Sequence, residues 1–252
     1  MKVKTYKDIE MINIAVHPIF QFMFVNLFYV DGLLIDSGPR LQKHKLSPIF
    51  RKWDIEQVAV THHHSDHIGL APWLMKHKNV QMYSSYPTQS EDKVFGAKSG
   101  WTTKANPFPN VIKTPKYRFH PISTPGHTPD HVSILEPNKG WLFSGDLYVT
   151  PYPKVFLKEE SVSAYIESLK KIKTLDFDTL FCGHGGVIQN GKEMIGRKLN
   201  YLEKVRIEVL RLHELGYSDR AIVKKLFPKK ARIEVWTFGS FSRLHLVRSC
   251  YQ

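Results

Sequence analysis

The segment THHHSDHIGL, residues 61–70, gathers residue types that hold metal ions. His62 and His64 alternate and can approach one ion together, while Asp66 and His67 lie just beyond and can serve a second. Imidazole mixed with carboxylate suits a hydrolytic site. A closed structural zinc draws on cysteines, and none is nearby. Three further segments place a polar residue where an apolar run stops. STPGHTPDH (123–131) puts His127 on a Pro-Gly turn, FSGDLY (143–148) puts Asp146 after an apolar run, and FCGHGG (181–186) puts His184 after another. Each alone reads as an ordinary loop residue. Four such positions in one chain read as an assembled centre, because loops at one end of a sheet scaffold commonly build sites.

Strands must carry these segments. Phe22 to Val30 followed by Leu33 to Ile35 predicts a hairpin turning at Asp31-Gly32. Gln57 to Thr61 and Val80 to Ser84 predict short strands, and Val132 to Leu135 with Trp141 to Ser144 predicts a second hairpin. Thr179 to Cys182 predicts a strand that ends at the glycines around His184. Ser161 to Ile172 has helical spacing, with Val162, Tyr165, Ile166, Leu169 and Ile172 on one face. A long helix is expected from Lys192 to Leu215, a second to Leu226 capped by Ser218, and a third from Ile233 to Val247. Residues 85–116 read as a loop-rich insertion in which Trp101 and Phe108, with Tyr117 just beyond, wall a pocket.

The chain has 252 residues, 42% of them hydrophobic, which suits one sizeable domain with a modest extension. The expected division is a catalytic domain over 1–190 and a basic helical extension over 191–252. The net charge is +13, and more than half of it lies from Lys192 onward. Such a tail can meet RNA or an anionic substrate, or simply form a solvated helical face. The apolar stretch from Ile12 to Ile35 is broken by His17, Pro18, Gln21, Asn26, Asp31 and Gly32, which predicts buried strands and no membrane span. MKVKTYKDIE lacks the apolar core of a signal peptide, and there are only two cysteines. A cytoplasmic location is therefore expected.

With Asp36 in DSG, the motifs His62-x-His64-x-Asp66-His67, His127, Asp146 and His184 follow in the order of the metallo-β-lactamase superfamily. The chain resembles that family over residues 20–190. The resemblance implies an α/β fold, a four-layer αβ/βα sandwich with a C-terminal helical extension. It also implies two divalent ions, zinc by expectation, with iron or manganese accepted by the same ligands. His62, His64 and His127 would bind the first ion, Asp66, His67 and His184 the second, and Asp146 would bridge them. Asp36 and His131 would support the ligands by hydrogen bonds. His63 is expected to point away.

A metal-bound hydroxide would attack a carbonyl or phosphoryl centre, with Asp66 orienting the nucleophile or moving a proton. The leading expectation is hydrolysis of an ester, thioester or lactone in a small, anionic molecule. Lactonase members place a tyrosine three residues after the bridging aspartate. Here that position is Val149, with Tyr148 and Tyr152 on either side as candidate substrate contacts. The first alternative is an RNA-processing endoribonuclease. It rests on the helical tail and on Lys224, Lys225, Lys229, Lys230 and Arg232, with Phe227 and Trp236 as nearby aromatics. The second alternative is a non-catalytic metal-binding module, which the full set of ligand positions disfavours.

Overall fold

The computed structural model describes residues 1–85 and 105–251. Two six-stranded mixed sheets pack face to face. The first runs in sequence order: β1 (Lys2–Tyr6), β2 (Ile9–Ala15), β3 (Phe24–Val30), β4 (Leu33–Ile35), β5 (Gln57–Ala59) and β6 (Gln81–Tyr83). The second contains β7 (Ile112–Lys113), β8 (Arg118–Ser123), β9 (Val132–Glu136), β10 (Trp141–Gly145), β11 (Thr179–Cys182) and β12 (Gly186–Ile188), in the order β12-β11-β10-β9-β8-β7.

Local chemistry explains the turns. β3 and β4 pair antiparallel through Val30 and Leu33, so only Asp31 and Gly32 connect them. Both have positive φ, 50° and 86°, the combination that matches the twist of a two-residue hairpin. β9 and β10 form the second expected hairpin around Gly140. β4–β5, β5–β6 and β10–β11 are parallel. Parallel neighbours need crossovers, supplied by α1 (Lys43–Lys52), by α2 (Ser65–Ile68) with α3 (Ala71–His77), and by α4 (Val162–Lys173).

Phe28, Phe119, Trp141, Phe143 and Phe181 fill the space between the sheets, with Phe143 and Phe181 stacked at 4.7 Å. The outer face of the first sheet buries Ile12, Leu27, Leu34 and Val58 with Phe50 of α1 and Trp73 and Leu74 of α3. The outer face of the second buries Leu142 and Leu180 with Tyr165 and Leu169 of α4 and the apolar stripe of α5 (Gly191–Glu214). The result is four layers, helix–sheet–sheet–helix. That second core continues past residue 190 into α6 (Asp219–Leu226) and α8 (Arg243–Arg248), through Ile222, Leu246 and Val247.

Ser218 caps α6 as expected, and Ser161, read as the first residue of its helix, instead caps α4, each accepting from a backbone N–H three residues on. The helix expected over 233–247 is instead two short ones, α7 (Arg232–Trp236) and α8. Phe238 and Gly239 take positive φ and stop α7, and Ser242 caps α8 anew. Strands β1, β7, β8 and β12 and helices α1, α2 and α3 had no counterpart in the sequence reading. Among the described residues, no helix is long and apolar enough to cross a membrane.

Candidate metal centre

Two parallel pairs of strands, β4–β5 in one sheet and β10–β11 in the other, end at one edge of the sandwich. Asp36, the 61–67 segment, Asp146 and His184 follow them directly. Backbone bonds join the two sheets at that edge: Val132 N–H donates to the Thr61 carbonyl at 2.9 Å, and Asn26 N–H to the Gly183 carbonyl at 2.6 Å.

There His62, His64 and His127 bring one ligand atom each within 4.8 Å of one another, as do Asp66, His67 and His184, and as do His62, His67 and Asp146. Asp146 lies between the first two groups. Its Oδ2 is 3.4 Å from His127 Nε2 and 3.0 Å from His184 Nε2, and its Oδ1 is 3.5 Å from His67 Nε2. Asp66 Oδ2 stands 3.6 Å from His184 Nε2 and 3.7 Å from His67 Nε2.

Each of the five histidines spends one ring nitrogen on an outer partner and turns the other inward. His67 Nδ1 donates to Asp36 Oδ2 at 2.7 Å, His184 Nδ1 to the Phe24 carbonyl at 2.6 Å, and His127 Nδ1 to Glu160 Oε1 at 2.8 Å. His64 uses Nε2, 2.9 Å from Glu159 Oε1, and faces inward with Nδ1. His62 Nδ1 donates to Thr61 Oγ1 at 3.0 Å, and that hydroxyl donates in turn to Asp36. These pairings assign the tautomers, so that each ring in its neutral form turns a lone pair inward. His62 Nε2, His67 Nε2 and Asp146 Oδ1 are buried with no hydrogen-bond partner. Buried polar atoms without partners are costly, and a cation among them removes that cost. The donor set therefore fits divalent metal.

Electrostatics set the two groups apart. Burial, then the neighbouring histidines, hold His62 far below its ordinary pKa, and burial with His64 brings His127 to about 3. Both are neutral, as ligands must be. Burial also opposes charge on His67 and His184. Asp146 outweighs it, raising His67 well above the ordinary value and His184 to about 9. Burial would raise Asp146, yet His184 and His67 hold it well below the usual carboxylate range.

His131 uses both nitrogens outside the cluster. Its Nε2 accepts from the Asp146 backbone N–H at 3.0 Å, and burial, then His127, lower its pKa to about 3. Nδ1 therefore donates to Thr124 Oγ1 at 2.9 Å. Gly183 leaves room that no other residue would: a Cβ there would stand 2.5 Å from Asp146 Oδ1. His63 turns to Asp130 at 2.7 Å. The acceptors Glu159 and Glu160 were missed in the sequence. LKEES reads as a solvated charged stretch, and only the burial of Glu160 sets it apart.

A family model for the metallo-beta-lactamase superfamily matches residues 22–184. The chain belongs to this superfamily. Curated relatives include the hydroxyacylglutathione hydrolase of Salmonella arizonae, 35% identical over 179 residues, covering 68% of this chain and 64% of the relative. That of Legionella pneumophila is 32% identical over 141 residues, 55% of this chain and 51% of the relative. A beta-lactamase-like protein 2 homolog of Drosophila melanogaster is 30% identical over 182 residues, 68% and 59% respectively. The chain spans about half the length of the first of the hydroxyacylglutathione hydrolases it matches. A beta-lactamase domain protein from Burkholderia ambifaria shares the metallo-β-lactamase fold with a TM-score of 0.74 at 19% identity, covering 96% of this chain and 85% of that one.

The residues expected at the pocket wall stand apart from one another. Tyr148 is buried in the core under α4 and α5 and offers only its carbonyl. Tyr117 sits at the far end of β8 from His127, between the sheets, bonded to Asp8. Tyr152 is exposed, edge-on to Tyr201 at 5.5 Å. Trp101 lies outside the described residues. Elsewhere, the β2–β3 hairpin and the tail approach one another: the Phe22 and Trp236 rings are 5.3 Å apart, and both are exposed.

Proposed function

We propose that the chain is a metal-dependent hydrolase that cleaves a thioester or ester bond in a small molecule. The observation that carries this is Asp146 set between two groups of inward-facing donors, with His62 Nε2, His67 Nε2 and its own Oδ1 buried and partnerless. In this reading His62, His64 and His127 hold one divalent ion, Asp66, His67 and His184 hold the other, and Asp146 serves both. Ions held there supply Lewis acidity and acidify water, the ordinary requirement of acyl hydrolysis at neutral pH. The protein's own part is orientation. Asp36 fixes His67 directly and His62 through Thr61, and His131 fixes the Asp146 backbone. Asp66 is the carboxylate placed to hold or pass a proton. The names of the curated relatives point to an acyl group on glutathione, which favours the thioester. Val149, half-exposed where lactonases carry tyrosine, weakens the lactone reading.

A second reading, cleavage of single-stranded RNA, gains one observation. Phe22, Trp236 and Phe238 are exposed, and Lys229, Lys230 and Arg232 are exposed in the same tail segment. Aromatics interleaved with cations are what single-strand readers use. Phe227, first counted among them, is buried.

Zinc-loaded protein assayed on acyl thioesters, lactones and a short RNA tests both readings, with His64→Ala as control. Thioester turnover absent from the variant is expected. RNA cleavage that the variant lacks, and that weakens with salt, would select the second reading. Full activity of metal-stripped protein or of His64→Ala would overturn both.

A further inference from the structure

A lysine is rarely buried without a task, because taking an ammonium out of water costs several kcal/mol. Lys198, on α5, is 2% exposed. Its Nζ donates to the Leu147 carbonyl at 2.7 Å and the Tyr148 carbonyl at 2.9 Å, and stands 4.2 Å from the centroid of the Tyr165 ring. Leu147 and Tyr148 are the two residues after Asp146, and the chain then reverses at Val149 with φ 46°. The same tyrosine donates its hydroxyl to Glu160 Oε1 at 2.9 Å, the oxygen that accepts from His127 Nδ1. The other Glu160 oxygen accepts from Leu157 N–H at 2.6 Å. One ammonium thus ties down the peptides beside Asp146. Through Tyr165 it also faces the buried carboxylate that sets the His127 ring.

We propose that Lys198 is a positioning residue of the metal centre, by which helix α5 of the C-terminal extension fixes Asp146 and, with Tyr165 and Glu160, His127. This rests on the reading of Asp146 and His127 as ligands. The extension is then part of the site's construction, whatever the substrate.

The test measures zinc affinity by competition with a chromogenic chelator, and the visible spectrum of cobalt-substituted protein. Melting curves on the same preparations report folding. Glu160→Gln removes one charge and keeps an acceptor for His127. Lys198→Met/Glu160→Gln removes both charges together, which leaves no uncompensated buried ion. Glu160→Gln is expected to weaken zinc binding roughly tenfold or more, and the double variant by about another tenfold, with shifted cobalt bands. A double variant that matches Glu160→Gln in affinity and spectrum overturns the proposal. Should the double variant not fold, Lys198→Arg keeps the charge and alters the donor geometry. A cobalt-band shift is expected there too, and an unchanged spectrum overturns the proposal. His127→Ala is the control on the ligand reading. If it binds zinc like the wild type, that reading fails. If it loses zinc while the Lys198 variants do not, only the role of Lys198 fails.

Discussion

Asp36→Asn exchanges one carboxylate oxygen for an amide nitrogen and leaves the backbone alone. Asp36 has φ 62°, in the left-handed region that Asn tolerates better than most residues, so no strain is added. The wild-type carboxylate accepts from three donors: His67 Nδ1 at 2.7 Å, Thr61 N–H at 2.8 Å and Thr61 Oγ1 at 3.0 Å. An amide offers one oxygen. Whichever way it is turned, its NH2 faces either His67 Nδ1–H or Thr61 N–H. In the first case His67 is driven to carry its proton on Nε2, the atom that faces Asp146 and Asp66, and ceases to be a ligand. In the second, a buried backbone donor loses its partner, and Thr61, which also holds His62, is displaced. Losing a hydrogen bond to a charged group costs about 1.5–3 kcal/mol. Mutation of such outer partners costs about 10–100-fold in metal affinity. The two figures agree, since each factor of ten is about 1.4 kcal/mol. Zinc affinity by chelator competition should therefore fall within that range, with one equivalent more affected than the other because, in the proposed reading, His67 holds only one of the two ions. Wild-type affinity for both equivalents in a folded Asp36→Asn protein would refute the tautomer argument.

Three further outcomes follow from packing. Gly183→Ala places a methyl 2.5 Å from Asp146 Oδ1 and 2.9 Å from His67 Cε1, so it should reduce bound metal and activity on the order of 100-fold, read by metal analysis and turnover. Gly216→Ala, in open space but at φ 81°, should spare metal content and cost only stability. Both thiols are buried, and burial raises Cys182 and pushes Cys250 up to about 12. Each is neutral at pH 8 and hidden, so thiol reagents should label neither until denaturant unfolds the chain. Prompt labelling of the native protein would show that the tail around α8 opens.

The residues that the structure brings together in the candidate centre were legible because their chemistry is specific to residue type. A metal needs imidazole and carboxylate, and these stand out at strand ends whose apolar runs are legible too. The outer shell was legible only in part. Asp36 and His131 lay within or beside the motifs. Glu160 and Lys198 act through burial, and nothing in their spacing shows that. The division at residue 190 has a similar difficulty. Helical periodicity marks α5 as a unit, yet its apolar stripe completes a core that begins in β10 and α4. Strand β8 was hidden by Pro121 and His120 within it, and the break between α7 and α8 by apolar residues on both sides of Gly239. In each case tertiary context decided what local pattern left open.

The two backbone bonds that join the sheets beside the cluster also bear on the order of folding. Asn26 and Gly183, one on each sheet, are 157 residues apart, and the inner donors come from both halves of the chain. Neither half can bring together all of them alone. Contacts so distant in sequence form late and slow the search for the native topology. A high-affinity metal signal during refolding should thus lag the recovery of helix and report the docking of the two halves, which makes cobalt absorbance a clock for the last step of folding.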